Sequence, residues 1–241
     1  MFKLITNIIP SPVLRFLKDY IKNYHTLSYS QEGEDMILKR LFETQEKKGF
    51  YVDVGAHHPK RFSNTYYFYK KGWSGINIDA MPNSMNIFNR LRKRDINIEV
   101  PISATNQILK YYVFNETAFN GFSKKLSEKR DGLDHAYGKY FIRYTKEIET
   151  RTLRDVLTQH LSVNQEIDFL SIDVEGLDFE VLKSNDFEKF RPKVILIEIL
   201  GKNINDVYNS ETTKFLKKHK YILYAKSVKT VFFMCSRYYD K

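Results

Sequence analysis

Cysteine is almost missing from this sequence, since Cys235 is the single one among 241 residues. One thiol cannot form an intrachain disulfide, and it cannot build a zinc centre from several cysteines. This cysteine content is typical of a reducing compartment, so we expect a cytoplasmic protein. No apolar run is long enough to span a bilayer, and the amino terminus lacks the pattern of a signal peptide. We therefore expect a soluble protein, at most peripheral to the inner face of a membrane.

Two further patterns are missing. No stretch rich in Pro, Gly and Ser divides the chain, so one large α/β domain over residues 28–241 is expected. The pattern Gly-x-Gly-x-x-Gly, which binds a pyrophosphate at a helix terminus, does not follow the first strong strand signal. Its absence argues against a nicotinamide-dependent dehydrogenase.

Negative charge is the scarcer sign, with 29 Asp and Glu against 39 Lys and Arg, for a net charge of +10. The cationic residues are spread over residues 90–94, 124–130 and 214–220. Such a broad field favours acidic partners, and we expect an acidic small-molecule or glycan acceptor. Charge alone keeps nucleic acid open as an unspecific and less favoured alternative.

Acidic residues end three apolar runs that predict buried parallel strands. The run at residues 50–54 ends with Asp53 and is followed by Gly55, where a missing Cβ lets backbone approach a ligand. A second run, 74–79, ends with Asp79, an acid suited to a ribose diol. A third, 167–174, places Asp173 at the rim and Glu175 in the turn beyond it. Since ligands of open α/β sheets bind beyond the carboxyl ends of the strands, these residues predict one site.

Two acids without a phosphate cradle fit a nucleoside cofactor that lacks a pyrophosphate, such as S-adenosylmethionine. Five ordered motifs, at residues 29–35, 52–59, 63–65, 72–79 and 168–176, resemble the FkbM family of S-adenosylmethionine-dependent methyltransferases. The resemblance covers roughly residues 28–200. It implies a Rossmann-like class I methyltransferase fold, with a mostly parallel seven-stranded sheet and a C-terminal antiparallel hairpin.

The resemblance also implies a set of cofactor ligands. Gln31 lies in a motif near the cofactor, although its segment could equally be a helix cap built on Ser30. Ser103 would reach the adenine, although a turn hydrogen bond is the more frequent role of such a serine. The expected cofactor-binding residues are Gln31, Asp53, Gly55, Asn64, Asp79, Ser103 and Asp173.

Methyl transfer to a hydroxyl needs alignment of the reacting groups and a base within hydrogen-bond reach of the hydroxyl. The predicted catalytic residues are Asp173, His57, His58 and Glu175, with Glu198 as a further candidate base. Histidine titrates nearest to neutrality, which makes the two adjacent histidines attractive. Asp173 and Glu175 could instead bind magnesium, but no third ligand is evident and we predict no metal.

Two segments lie outside the regular pattern. Residues 1–27 predict two short amphipathic helices, which pack on the domain or on a second subunit, or lie on an anionic membrane surface. Residues 115–146 are irregular, aromatic and basic, and predict an insertion that binds the acceptor or serves as a mobile lid.

The leading hypothesis is an O-methyltransferase for a sugar or related hydroxyl of a surface polysaccharide, lipopolysaccharide or secondary metabolite. Its acceptor class comes from the family resemblance alone. The alternatives are a catalytically silent binding module with the same fold, and a nucleic-acid methyltransferase or binder.

Overall fold

The structure is a computed structural model that describes residues 12–13, 25–136, 138–199 and 203–239. Nearly all of the segment expected to form amphipathic helices, residues 1–27, lies outside this description. The described helices are α1 Glu34–Leu41, α2 Tyr66–Lys70, α3 Met85–Leu91, α4 Lys124–Arg130, α5 Leu153–His160, α6 Asp178–Lys183, α7 Ile204–Asn209, α8 Glu211–Lys218 and α9 Ser236–Tyr239. In this part of the chain, no helix has the length and apolar character that crossing a membrane requires.

The strands alternate with the helices along most of the chain. They are β1 Phe50–Val54, β2 Ser74–Asp79, β3 Ile96–Glu99, β4 Ile108–Phe114, β5 Asp134–His135, β6 Gly138–Lys139, β7 Ile142–Glu149, β8 Phe169–Ile172, β9 Val194–Glu198, β10 Tyr221–Lys226 and β11 Thr230–Cys235. Seven of them form one sheet in the order β10-β11-β9-β8-β1-β2-β3. The expected α/β fold with a mostly parallel seven-stranded sheet is therefore confirmed.

The strand directions place the polar ends of the central strands at one edge of the sheet. β1 pairs in parallel with β2 on one side and with β8 on the other, while β11 runs antiparallel between β9 and β10. Chain order therefore reverses between β1 and β8, and such a switch point opens a crevice for ligands beyond the strand ends.

The core covers both faces of the sheet, as the nearly continuous apolar strands predict. Side chains on one face, with Val52, Ile76 and Leu170 among them, pack against α5 and α6. Tyr51, Phe68, Trp73 and Phe169 form an aromatic layer on the other face. With rigid strands between two packed layers, the loops at the strand ends are held in fixed positions.

The predicted insertion is more ordered than its composition suggests. The added strand expected at 110–114 is observed as β4, starting at Ile108, and it pairs with β7 in a separate antiparallel sheet. A 3₁₀ turn, Thr117–Phe119, and helix α4 lie between these strands. Ser123 caps α4 through the backbone N–H of Leu126, a local signal that the irregular composition obscured. Residues 115–141 therefore form a folded cap on a two-stranded base, and we call them the insertion.

Ser30 is not the N-cap residue of α1, although it contacts the first turn of the helix. The helix begins at Glu34 after Gly33, whose φ of 84° only glycine adopts freely. The Ser30 hydroxyl accepts from the Asp35 N–H at 3.3 Å and donates to the Asp35 carboxylate, which also accepts from the Tyr29 backbone N–H. Asp35 thus holds the preceding segment as a loop, and this competes with an earlier helix start. At α5, by contrast, Thr152 is the N-cap residue, and its hydroxyl accepts from the Asp155 N–H.

Candidate active site

A single continuous cavity lies beyond the carboxyl ends of β1, β2, β3 and β8, under the insertion. Its lining residues come from six stretches of the chain, at residues 31–34, 54–64, 78–81, 100–102, 111–122 and 173–175. They are Gln31, Glu34, Val54, Gly55, His57, Phe62, Asn64, Ile78, Asp79, Ala80, Met81, Val100, Pro101, Ile102, Tyr111, Thr117, Ala118, Asn120, Gly121, Phe122, Asp173, Val174 and Glu175. The cavity coincides with the site predicted from the acids at the strand ends.

Asp79 is fixed at the end of β2 by two backbone groups. Its carboxylate accepts from the N–H of His57 at 2.8 Å and from the N–H of Met81 at 2.8 Å. Burial raises the pKa of Asp79, while these two donors oppose the shift. A carboxylate has about four lone-pair sites, so two remain for hydroxyl donors from a ligand. The geometry suits the diol role predicted for this residue.

The wall beside Asp79 is apolar and aromatic. Ile78, Met81 and Ile102 line it from the sheet side, and Tyr111 and Phe122 of the β4 region close it with ring centroids 4.8 Å apart. Asn120 ties this wall together, because its side-chain oxygen accepts from the Phe114 N–H at 2.8 Å. Such a slot, flat and apolar with one acid at its edge, matches the shape and polarity of a nucleoside.

Gly55 is required by the chain itself. Its φ is +85°, and a Cβ placed there would lie 1.7 Å from the carbonyl oxygen of Asp173. The sequence interpretation, in which the missing Cβ admits a cofactor, is therefore incomplete, since the first group it admits is the backbone after β8. This close approach brings the ends of β1 and β8 together at the floor of the cavity.

Asp173 faces the cavity from the floor. The residue is exposed to the solvent in the cavity, although it lies deep among protein atoms. This deep position, together with the carboxylates of Asp178, Glu198 and Glu175, raises the pKa of Asp173 well above its usual value. A carboxylate whose pKa is raised in this way is a stronger base than an ordinary one.

Glu175 also lines the cavity, but it has an ionic partner. Its carboxylate lies 2.6 Å from the guanidinium of Arg130, and both side chains are only about one-fifth exposed, at 22% and 21%. Arg130 is further fixed over the ring of Phe119. Glu198, the other candidate base, is paired with Lys229 at 3.5 Å and does not line the cavity.

The adjacent histidines occupy different environments. His57 lines the cavity with a left-handed backbone, φ 52°, and its Nε2 lies 3.3 Å from the Thr117 hydroxyl of the insertion. Burial lowers the pKa of His57, so its neutral form is favoured. His58 points away from the cavity, where its Nδ1 accepts from the N–H groups of Lys60 and Arg61. The structure therefore gives His58 a turn-stabilising position and leaves His57 as the histidine beside the cavity.

Asp53 lies behind the cavity wall and does not line it. Its carboxyl accepts from the Thr65 hydroxyl at 3.1 Å, and burial raises its pKa to about 6. Thr65 in turn accepts from Arg92, which is fully buried and also bonds Tyr51, Asp95 and the carbonyl of Pro59. We did not predict this network, because a lone Arg in a basic sequence gives no signal of burial.

The remaining predicted cofactor ligands divide into two groups. Gln31 and Asn64 both line the cavity, and Asn64 is oriented by donating to the Ser171 hydroxyl at 3.1 Å. Ser103 lies outside the lining and is buried, and its hydroxyl accepts from the Gln107 side chain. Its position therefore matches the turn role that the sequence left open.

The segment 28–35 lies along the cavity as a strap held from the far edge of the sheet. Glu32 accepts from the Ser227 hydroxyl and the Lys229 N–H, and Glu34 accepts from the Thr230 hydroxyl at 3.0 Å. These bonds reach the turn between β10 and β11, so the strap is held by residues nearly 200 positions away in the sequence. Glu34, a buried lining residue, was missed as a site residue although it belongs to a quoted motif.

A metal centre receives no support from the part of the chain that the structure describes. No group of three or more His, Cys, Asp or Glu is placed there to hold an ion. Asp173 and Glu175 remain two carboxylates without a third ligand, one of them paired with Arg130.

The fold and cavity define a class of protein, an open α/β enzyme whose nucleoside-shaped slot lies at the switch point of its sheet. Within this class, a model of the methyltransferase FkbM domain matches residues 53–223. The chain therefore belongs to the FkbM methyltransferase family, and it is a methyltransferase. The match begins at Asp53 and extends past the range, 28–200, in which the motifs were recognised.

Two solved structures are also similar in outline. A proposed RNA methyltransferase, PH1948 from Pyrococcus horikoshii, shares 10% identity with a TM-score of 0.43, over 94% of this chain and 99% of that one. A TehB-like S-adenosylmethionine-dependent methyltransferase from Corynebacterium glutamicum shares 10% identity with a TM-score of 0.36, over 93% and 95%. At this level neither structure adds to the assignment. A comparison with curated protein sequences finds no match.

Proposed function

We propose that the protein is an S-adenosylmethionine-dependent O-methyltransferase whose acceptor is a small molecule or glycan hydroxyl. The observation that supports this most is the placement of Asp79 and Asp173 at opposite sides of one cavity, at the ends of β2 and β8. A nucleoside held at Asp79 extends from there toward Gly55 and Asp173, across the floor of the cavity.

The residues present fit this cofactor. Asp79 would accept from the ribose hydroxyls, and the wall of Ile78, Met81 and Ile102 would cover the base. The amides of Gln31 and Asn64 would form hydrogen bonds with the amino-acid end of the cofactor, since they offer donors and acceptors without a fixed charge. Asp173 faces the cavity, and its carboxylate would favour a cationic centre of the cofactor placed nearby.

The bound cofactor would supply an electrophilic methyl group on a sulfonium. The protein must then exclude water, hold the acceptor oxygen in line, and remove the proton of the hydroxyl. The insertion provides the first of these, because Thr117, Asn120 and Phe122 close the cavity from above.

Asp173 and His57 are the two candidate bases that the structure retains in the cavity without a fixed ionic partner. The raised pKa of Asp173 makes its carboxylate a stronger base than an ordinary one, and the lowered pKa of His57 keeps its ring in the neutral form. Glu175 is less suited to this role because its charge is already paired with Arg130. We assign proton removal to Asp173 and assign to His57 the orientation of the acceptor.

A sugar or related hydroxyl fits the insertion that closes the cavity. Phe62, which is 42% exposed, lines the cavity together with Phe122, and aromatic faces are common partners of the apolar faces of sugars. The family resemblance suggests a surface polysaccharide, lipopolysaccharide or secondary metabolite as the source of that hydroxyl.

The experiment that tests this proposal is a calorimetric titration with S-adenosylmethionine and S-adenosylhomocysteine, followed by transfer of labelled methyl to an acceptor library. Asp79→Asn is the matched variant, and Glu128→Gln, on the outer face of α4, is its control for charge. We expect saturable binding, which Asp79→Asn weakens and Glu128→Gln leaves unchanged. Binding without transfer to any hydroxyl compound would favour a silent binding module, and no binding would overturn the proposal.

A further inference from the structure

The cavity has the opposite charge to the protein that surrounds it. Lys and Arg account for 39 of 241 residues, yet among the described residues that line the cavity there is neither a Lys nor an Arg. Four carboxylates line it: Glu34, Asp79, Asp173 and Glu175. The positive field therefore lies outside the cavity, and the inside is acidic.

The acids are concentrated in one half of the cavity. Ile78, Met81 and Ile102 make the half above β2 and β3 apolar apart from Asp79. The half above β8, which we call the acidic wall, contains Asp173, Glu175 and Glu34. Glu198 and Asp178 lie beyond the lining, and their negative charges add to the effect of burial in raising the pKa of Asp173.

Only part of this charge is neutralised from within the protein. Arg130 pairs with Glu175 and Lys229 pairs with Glu198, from behind the cavity surface. Glu34 accepts only from neutral donors, the Thr230 hydroxyl and the Glu32 N–H. No hydrogen bond or ion pair is seen for the Asp173 carboxyl among the residues described, and its pKa is raised by its neighbours. An anion entering here would meet uncompensated repulsion in a partly desolvated space.

We propose that the acidic wall rejects negatively charged groups, so that the methyl acceptor presents its hydroxyl on a neutral or amino-bearing molecule. This inference rests on the proposed function, since it places the adenosine part of the cofactor at Asp79 and the acceptor beside Asp173. It differs from the expectation of an acidic acceptor drawn from the net charge, and the binding test below decides between the two. Acidic groups of a larger acceptor would contact only the outer lysines of the insertion, such as Lys124 and Lys125, which are exposed.

A matched set of adenosine thioethers tests the charge selectivity directly by binding. The three ligands carry a 2-aminoethyl, a 2-hydroxyethyl or a carboxymethyl group on the 5′ sulfur, so that they differ mainly in the charge that reaches the acidic wall. The titrations are done at mildly alkaline pH, because the raised pKa of Asp173 favours its protonated form at lower pH. Calorimetry on the full chain should then give the tightest binding for the amine and the weakest for the carboxylate, with a ratio of about tenfold or more. The neutral ligand should bind between them.

Two variants assign the effect to the wall. Asp173→Asn should reduce the ratio between amine and carboxylate severalfold while leaving the neutral ligand nearly unchanged, which also shows that the variant is folded. Glu128→Gln removes the same charge from the exposed face of α4 and should keep the wild-type ratio.

The possible failures can be told apart. Equal or tighter binding of the carboxylate, with the neutral ligand bound, would overturn the inference and leave the cofactor site in place. A ratio that Asp173→Asn does not change would remove the acidic wall as its cause and overturn the assignment. If S-adenosylmethionine and all three thioethers fail to bind, the proposed function itself is overturned.

Discussion

Arg130 of the insertion and Glu175 of the turn after β8 form an ion pair of 2.6 Å at the edge of the cavity. The contact is more than a charge pair, because a Cβ on Gly176 would lie 2.8 Å from Leu126 and a Cβ on Gly121 would lie 3.2 Å from Glu175. The insertion is thus fitted closely onto the turn that carries Asp173 at its start. Closure of the cavity and placement of Asp173 therefore depend on the same contact.

Arg130→Ala should loosen the insertion and raise the KM for the acceptor while cofactor affinity changes little. The pair is largely shielded from solvent, so its loss should cost about 1 kcal/mol or somewhat more. Hydrogen exchange of residues 115–141 and steady-state kinetics measure the two effects. Glu128→Gln, which breaks the exposed pair with Lys124 on the same helix, should change neither.

A double-mutant cycle separates this pairing from a catalytic role of Glu175. If Glu175 acts through Arg130, Glu175→Gln and the double variant should resemble Arg130→Ala, with a coupling energy above about 0.5 kcal/mol. A much larger loss of kcat in Glu175→Gln than in Arg130→Ala would instead restore Glu175 as a catalytic residue.

Asp79→Asn should weaken S-adenosylmethionine binding by roughly 1 to 3 kcal/mol, the range for losing hydrogen bonds to a charged group. The asparagine keeps one acceptor oxygen for the His57 or Met81 N–H, so the loop should remain folded. Calorimetric titration checks the affinity, and circular dichroism checks the fold. An unchanged affinity in the folded variant would place the ribose elsewhere.

The sequence was sufficient to predict the parallel strands of the sheet and the polar residues at their carboxyl ends. Apolar runs ending in Asp79 and Asp173 predicted the cavity because parallel strands bring their carboxyl ends to one side, whatever the loops do. Asp53 shows the limit of that argument. It is one residue short of the end of β1, and strand alternation directs it to Thr65 and Ser171, behind the wall.

Contacts between distant segments could not be predicted from local patterns. The bond from Thr230 to Glu34 joins residues nearly 200 positions apart, and nothing near either residue marks it. The same holds for Arg92, whose partners Tyr51, Thr65 and Asp95 converge only in the folded chain. The two histidines were indistinguishable in sequence because a single left-handed residue, His57, decides which ring lines the cavity.

Substitutions of the two histidines should have separable effects. His57→Asn should lower kcat by about tenfold or more, because it removes a ring beside the acceptor position, while asparagine tolerates the left-handed backbone. His58→Ala should leave kcat unchanged and lower the free energy of unfolding by about 1 to 2 kcal/mol, since it removes an acceptor for two backbone N–H groups. Steady-state kinetics and thermal unfolding measure these effects, and the reverse assignment would follow if His58→Ala lost turnover in a stable protein.

Asp178 should make the stability of the protein depend on pH. It is buried at the start of α6, where its carboxyl accepts from the N–H groups of Val174 and Gly176, and burial raises its pKa to about 7. The unfolded carboxyl titrates near 4, so the folded state binds the proton more tightly between these values. The stability that this group contributes is full below about pH 4 and is lost as the pH rises through about 7.

Thermal unfolding at pH 5 and pH 8 tests this. Relative to the wild type, Asp178→Asn should gain about 2 to 3 kcal/mol of unfolding free energy at pH 8 compared with pH 5. This is the value for one proton over the roughly two pH units from 5 to a folded pKa of about 7. Asp134→Asn, at a side chain that is 82% exposed, should show no such difference. A wild type and an Asp178→Asn variant with parallel pH profiles would assign the pH dependence to other groups.

Asp173→Asn should lower kcat by about 10²-fold or more, the usual effect of losing a general base, with a smaller change in cofactor affinity. Attraction between Asp173 and the sulfonium cannot be the source of the rate enhancement, because the positive charge fades in the transition state and the ground state would be stabilised more.

The contribution of Asp173 must therefore be proton removal or positioning, and the pH profile distinguishes them. For a base with a raised pKa, the wild-type rate should increase with pH as the Asp173 carboxyl ionises, and the residual rate of the variant should lose that step. Chelators should leave both rates unchanged, since a metal role would appear as loss of activity that magnesium restores. Wild-type turnover by Asp173→Asn across neutral pH would make Asp173 structural and transfer the search for the base to His57.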